Sequence, residues 1–139
     1  LLVAHFVGTF ERERPGLAAI LLPGDVDDPL ADSPEAGHPQ RFARQVRALG
    51  EAGAVLLAIS ASGDAASVLA ATQPAHEREM TVVALLGGQG GALGKALRET
   101  DVQVLVPHER VARVHEVHLL ALHCLCDGVD AQLLGEQEG

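Results

Sequence analysis

Residues 54–71 read AVLLAISASGDAASVLAA: an apolar run, a turn of small residues, then a helical pattern. AVLLAIS, 54–60, has the length and continuous apolarity of a strand covered on both faces, as strands of parallel sheets are. Asp64 or Ser62 is then the expected cap of a helix starting near Ala65, which Pro74 should break or kink. Outward from this unit the alternation repeats. LAAILL (17–22), MTVVALL (80–86) and VQVLV (102–106) read as three more buried strands, the last ended by Pro107. Helical spacing fills the intervals: Leu2, Val3, Phe6, Val7 and Phe10 ahead of Pro15 and Gly16, then Phe42, Val46 and Leu49 ahead of Gly50. A short helix should follow the glycine-rich turn GGQGG. A long one should cover residues 109–134, with Val114, His118, Leu122 and Leu125 on its apolar stripe. The proline-rich stretch 23–39 reads as a surface loop. Strands separated by helices imply an α/β three-layer sandwich, a parallel sheet flanked by helices in the flavodoxin-like or Rossmann-like manner. Ligands of such sheets bind beyond the carboxyl ends of the strands, which is where Ser60 to Asp64 falls.

Composition narrows the function. At 139 residues the chain suits one domain with a real core, and with three Phe and no Trp or Tyr that core must be aliphatic. A formal charge of −9 and the lack of aromatic platforms argue against direct binding of nucleic acid. Cys124 and Cys126, one residue apart in an apolar segment, suit neither a disulfide framework nor a zinc knuckle, so a reduced, cytoplasmic setting is expected. No apolar run approaches the ~20 residues of a membrane span and no basic leader is seen, so no membrane association is expected.

Three groups of residues could carry chemistry. Ser60, Ala61, Ser62 and Gly63 form a turn ahead of a helix, whose N-terminus offers unpaired N–H groups and the positive end of the dipole, the parts of a phosphate cradle. The plainer reading is a strand-to-helix connection, and Asp64 favours it, because a carboxylate there would compete with a phosphate for the same N–H groups. GGQGGALGKAL fails as a P-loop: Gln89 stands where the first glycine should, and Ala96 replaces the Ser or Thr that would hold magnesium. On the last helix, His115 and His123 are eight residues apart and about 80° around the axis, roughly on one side. Histidines on a half-buried helix are more often ordinary surface or interface residues.

FERERPGLAAI, FARQVRALG, VLLAISASGDAASVL, EREMTVVAL and ARVHEVHLLALHCLCDGVDAQLLG together resemble the phosphoheptose isomerases, SIS-domain enzymes that act on sedoheptulose 7-phosphate. They equally resemble that family's relative that associates with the bacterial replication initiator. The resemblance covers nearly all of the chain outside 23–40. It implies a single SIS domain over 1–139 that lacks an N-terminal helix and first strand, a homotetramer or homodimer, and phosphate binding at the turn 60–63. Where the family reads S-T-S-G-N-S, this chain has Ser60, Ala61, Ser62, Gly63, Asp64 and Ala65. The family's glycine- and serine-rich loop G-N-G-G-S has no counterpart. Its metal and acid/base residues would fall on Leu1 and His5 in the first helix and on His115 and His123 in the last; an acidic residue of its middle loop would fall near Glu35. The resemblance therefore makes His5 and His123 the catalytic candidates and His5, His115 and His123 candidate zinc ligands, since three imidazoles with an open position are a known zinc arrangement. With His5 in place of a carboxylate and Leu1 in place of a ligand, weak or absent isomerase activity is expected. The alternative function is a non-catalytic oligomeric adaptor that binds the replication initiator.

Overall fold

The computed structural model describes residues 1–22 and 38–135. They form two compact units, residues 22–115 and residues 1–21 with 116–139.

The larger unit holds the sheet. Strands β1 (Val55–Ser60), β2 (Thr81–Gly87) and β3 (Val102–Val106) are parallel and lie in the order β1-β2-β3. Helix α2 (Arg41–Leu49) precedes β1, α3 (Ala66–Glu77) joins β1 to β2, and α4 (Gly91–Ala96) lies between β2 and β3. The parallel sheet is thus flanked by helices, in the α/β class that the alternation predicts. Its core consists of Val46, Ala58, Ala71, Ala75, Val82, Ala84, Leu86 and Leu93. Four of these eight are alanine, and Ala58 pairs in register with Ala84, so small side chains on the sheet meet small side chains on α3 and backbones approach closely. Central β2 is almost wholly buried, whereas Val55 and Ile59 of β1 and Val102 of β3 remain exposed at the sheet's edges.

The smaller unit contains α1 (Leu2–Val7) and most of α5 (Val111–Leu134). α1 ends at Gly8, short of the reach implied by Phe10, and the chain then reverses through a γ-turn with Glu11 at φ 60° and the Arg12 N–H on the Phe10 carbonyl at 2.7 Å.

Two expectations are overturned. Residues 17–22 are not a strand: Ile20 and Leu21 are exposed, and the Leu17 N–H bonds to the Phe6 carbonyl at the end of α1 instead of to a neighbouring strand. An apolar run becomes a strand only when a ladder accepts its backbone groups. Nor does Pro74 break α3. It sits fully buried in the last turn, where its missing N–H costs one bond, and the Arg78 N–H still closes on the Pro74 carbonyl at 3.0 Å.

Candidate functional site

In the larger unit the carboxyl ends of β1 and β2 carry two interlocked turns. Ser60, the last residue of β1, is buried, and its hydroxyl accepts the Gly63 N–H at 3.0 Å. The Ser62 hydroxyl accepts the Asp64 N–H at 3.1 Å. Each serine thus folds its own turn while keeping its hydroxyl proton available to donate. Gly63 has φ +75°, and a Cβ there would collide with the Gly90 carbonyl. A Cβ on Gly91, at φ +57°, would come 2.6 Å from Asp64 Oδ1 and 2.7 Å from the Ser62 carbonyl. The Leu93 N–H completes the contact on the Gly63 carbonyl at 2.8 Å. The glycines of GGQGG therefore let the second turn buttress the serine turn by backbone contact alone.

Asp64 has a different role from the one its position suggests. Its Oδ1 accepts the Ala92 N–H at 2.9 Å, in the first turn of α4. It caps α4, where a negative charge is favoured, and not the helix that follows it in sequence. The N-cap of α3 is Ala65, which has no side chain able to cap, and no side-chain bond is made there. The first-turn N–H groups of α3 are accordingly left to solvent or to a ligand.

In the smaller unit three rings meet. His5 on α1 and His123 on α5 lie 5.7 Å apart between centroids, edge to face; Phe10 stacks on His123 at 5.6 Å and meets His5 edge-on at 5.1 Å. Both histidines are partly exposed, and His5 Nδ1 makes a long contact of 3.4 Å with the Thr9 carbonyl. An Nδ1–H tautomer leaves Nε2 as the basic nitrogen. Below them the buried Arg14 guanidinium donates to Asp130 Oδ1 at 2.5 Å and to the His5 carbonyl at 2.7 Å. Burial pushes the Cys126 thiol up, with the Asp130 charge adding to it, so this cysteine is an inert packing residue.

His115 belongs to the larger unit and is exposed on α5. The smaller unit brings the rings of His5 and His123 together. Among the described residues no group of three or more His, Cys, Asp or Glu side chains is placed to hold a metal ion. Glu35 lies outside the described residues. Sequence reasoning missed Arg14, Asp130 and the cap formed by Asp64, because each acts on a partner far along the chain.

These features define an open parallel α/β domain with a serine-rich turn and an uncapped helix at the carboxyl end of its first strand. The sequence pattern of the SIS domain matches residues 2–87. The phosphoheptose isomerase of Methylibium petroleiphilum is 58% identical over 135 residues, 97% of this chain and 68% of the relative; that of an Azoarcus species is 53% identical over the same span. Among solved structures, a phosphoheptose isomerase from Francisella tularensis superposes with a TM-score of 0.84 at 42% identity, covering 91% of this chain and 66% of that one. One from Neisseria gonorrhoeae gives 0.70 at 46% identity, covering 73% and 55%. The chain belongs to the SIS-domain family, on its phosphoheptose isomerase branch, and spans between about half and two thirds of the length of these relatives.

Proposed function

We propose that the chain binds a phosphorylated sugar of the sedoheptulose 7-phosphate class at the turn Ser60, Ala61, Ser62 and Gly63, and interconverts its ketose and aldose forms slowly. The observation that carries the reading is the uncapped N-terminus of α3: the Asp64 carboxylate is turned away to α4. The first-turn N–H groups and the two serine hydroxyls are then donors for a phosphate, aided by the helix dipole. Proton transfer falls to the imidazoles. Isomerisation needs a base to take a proton alpha to a carbonyl and an acid to serve the carbonyl oxygen. The family resemblance assigns these two roles to His5 and His123, whose rings lie 5.7 Å apart in the smaller unit. Histidine replaces the family's carboxylate as base, so turnover is expected to be weak. The protein is read as soluble and cytoplasmic, as its relatives' role implies. The adaptor reading, with the replication initiator as partner, has no feature of its own in its favour.

Calorimetry tests the binding half. Sedoheptulose 7-phosphate should bind and unphosphorylated sedoheptulose should not, and Ser60→Ala should weaken binding by roughly 10- to 100-fold, the loss of one bond to a charged group. Equal affinity for the two sugars would refute the cradle.

A further inference from the structure

The acid/base reading requires His5 to be held at a fixed distance from His123, and beyond the ring contacts with Phe10 no fully buried residue of α1 anchors it. α1 has six residues, none of them fully buried, and a helix that short is unstable by itself. Its last carbonyls have no intrahelical partner. Arg14 takes them. Nη2 donates to the His5 carbonyl at 2.7 Å, and Nη1 donates to the Phe6 and Gly8 carbonyls at 2.9 and 3.0 Å. Nε donates to Asp130 Oδ1 at 2.5 Å. Four of the five guanidinium donors are thus spent, three of them on the C-terminal end of α1, where a cation also complements the helix dipole. Both partners of the ion pair are buried, with 1% and 3% of their side chains exposed.

Asp130 lies on α5 seven residues, about two turns, beyond His123. One cation therefore ties the backbone that carries one imidazole to the helix that carries the other. The other oxygen of Asp130, Oδ2, is buried with no hydrogen-bond partner among the described residues, so there the carboxylate depends on Arg14. We propose that Arg14, anchored by Asp130, is a positioning residue that sets His5 against His123. The structural half of this statement stands on the bonds above; its consequence for turnover rests on the isomerase reading. Arg12, which reaches the exposed Gly135 carbonyl at 2.7 Å, makes no bond to α1 and provides the control.

Proton NMR on the whole chain separates the two halves. The wild-type protein should show a nuclear Overhauser contact between the His5 and His123 rings and slowly exchanging Arg14 guanidinium protons; rapidly exchanging Arg14 protons would overturn the clamp. Arg14→Lys keeps the charge opposite Asp130 but has three donors on a compact head, too few and too close together to span three carbonyls and a carboxylate. It should abolish the ring contact while leaving the amide pattern of residues 55–106 unchanged, and Arg12→Ala should preserve both. A folded Arg14→Lys protein with the ring contact intact overturns the proposal. If that variant does not fold, Asp130→Asn decides, with a contact at wild-type strength overturning it and a weakened one supporting it. In the sedoheptulose 7-phosphate assay Arg14→Lys should lower kcat on the order of 10²-fold with little change in KM, as misplacement of a catalytic group by about an ångström does. Loss of the ring contact in a protein whose wild type has no turnover would support the clamp and sink the isomerase reading alone.

Discussion

At the scale of single residues, the serine turn depends on two side chains and one absent Cβ. Gly63 has φ +75° and lies against the Gly90 carbonyl. Gly63→Ala therefore combines a left-handed conformation with a backbone collision and should cost about 2–4 kcal/mol. A thermal melt should fall by roughly 10 °C or more, and an unchanged melt would mean that the two turns are not interlocked. Asp64 has two separable properties. Asp64→Asn keeps an acceptor for the Ala92 N–H and removes a charge beside the proposed phosphate site, so affinity should rise by roughly two- to five-fold, the effect of removing one screened like charge. Asp64→Ala also loses the cap of α4 and should cost about 1 kcal/mol of stability. If calorimetry finds that Asn leaves affinity unchanged or lowers it, phosphate does not bind at this turn.

At the scale of elements, the end of α3, the start of β2 and the approach to β3 are joined by one carboxylate. Asp101 accepts the Val82 N–H and the Arg98 N–H, each at 2.8 Å, and lies 2.6 Å from His76 Nε2. Burial would raise its pKa, but the two backbone donors and His76 outweigh this and hold the carboxyl below the usual carboxylate range. With the folded-state pKa depressed, the unfolded chain binds the proton more readily. The contribution to stability is therefore present in full above the ordinary carboxylate range and is lost as pH falls through that range to the lower folded value. Denaturant titrations from pH 7 down to pH 3 should show this loss in the wild type. Asp101→Asn should already be destabilised at pH 7, by about 1–3 kcal/mol, and should show a flatter acid limb. Parallel acid limbs in the two proteins would remove Asp101 from this role.

At the scale of the whole molecule, α5 carries more apolar surface than the described residues cover. Leu119, Leu120, Leu133 and Leu134 are 45%, 61%, 60% and 47% exposed. By length and mean hydropathy the helix passes for a membrane span, but it carries the buried Asp130 bound to Arg14, an ion pair with no place among lipid chains. Apolar faces of this extent on a helix suit contact with another protein surface, and a second copy of the chain is the occupant expected. Light scattering at micromolar concentration should find a dimer or tetramer, and Leu120→Glu should shift it toward monomer. A wild-type monomer would refute this.

The sequence by itself determined the strands near 54–60, 80–86 and 102–106, the long last helix and the serine turn, because periodicity, turn chemistry and family resemblance are carried by neighbouring residues. Tertiary structure decided whatever depends on a distant partner. The run 17–22 is apolar enough for a strand but gives its first N–H to α1. Asp64 sits where a cap of α3 belongs but serves α4, 28 residues on. Arg14 and Asp130 are 116 residues apart and meet through one buried bond. Spacing along a chain encodes which face a side chain occupies; only the fold determines which unsatisfied polar group waits on the other side.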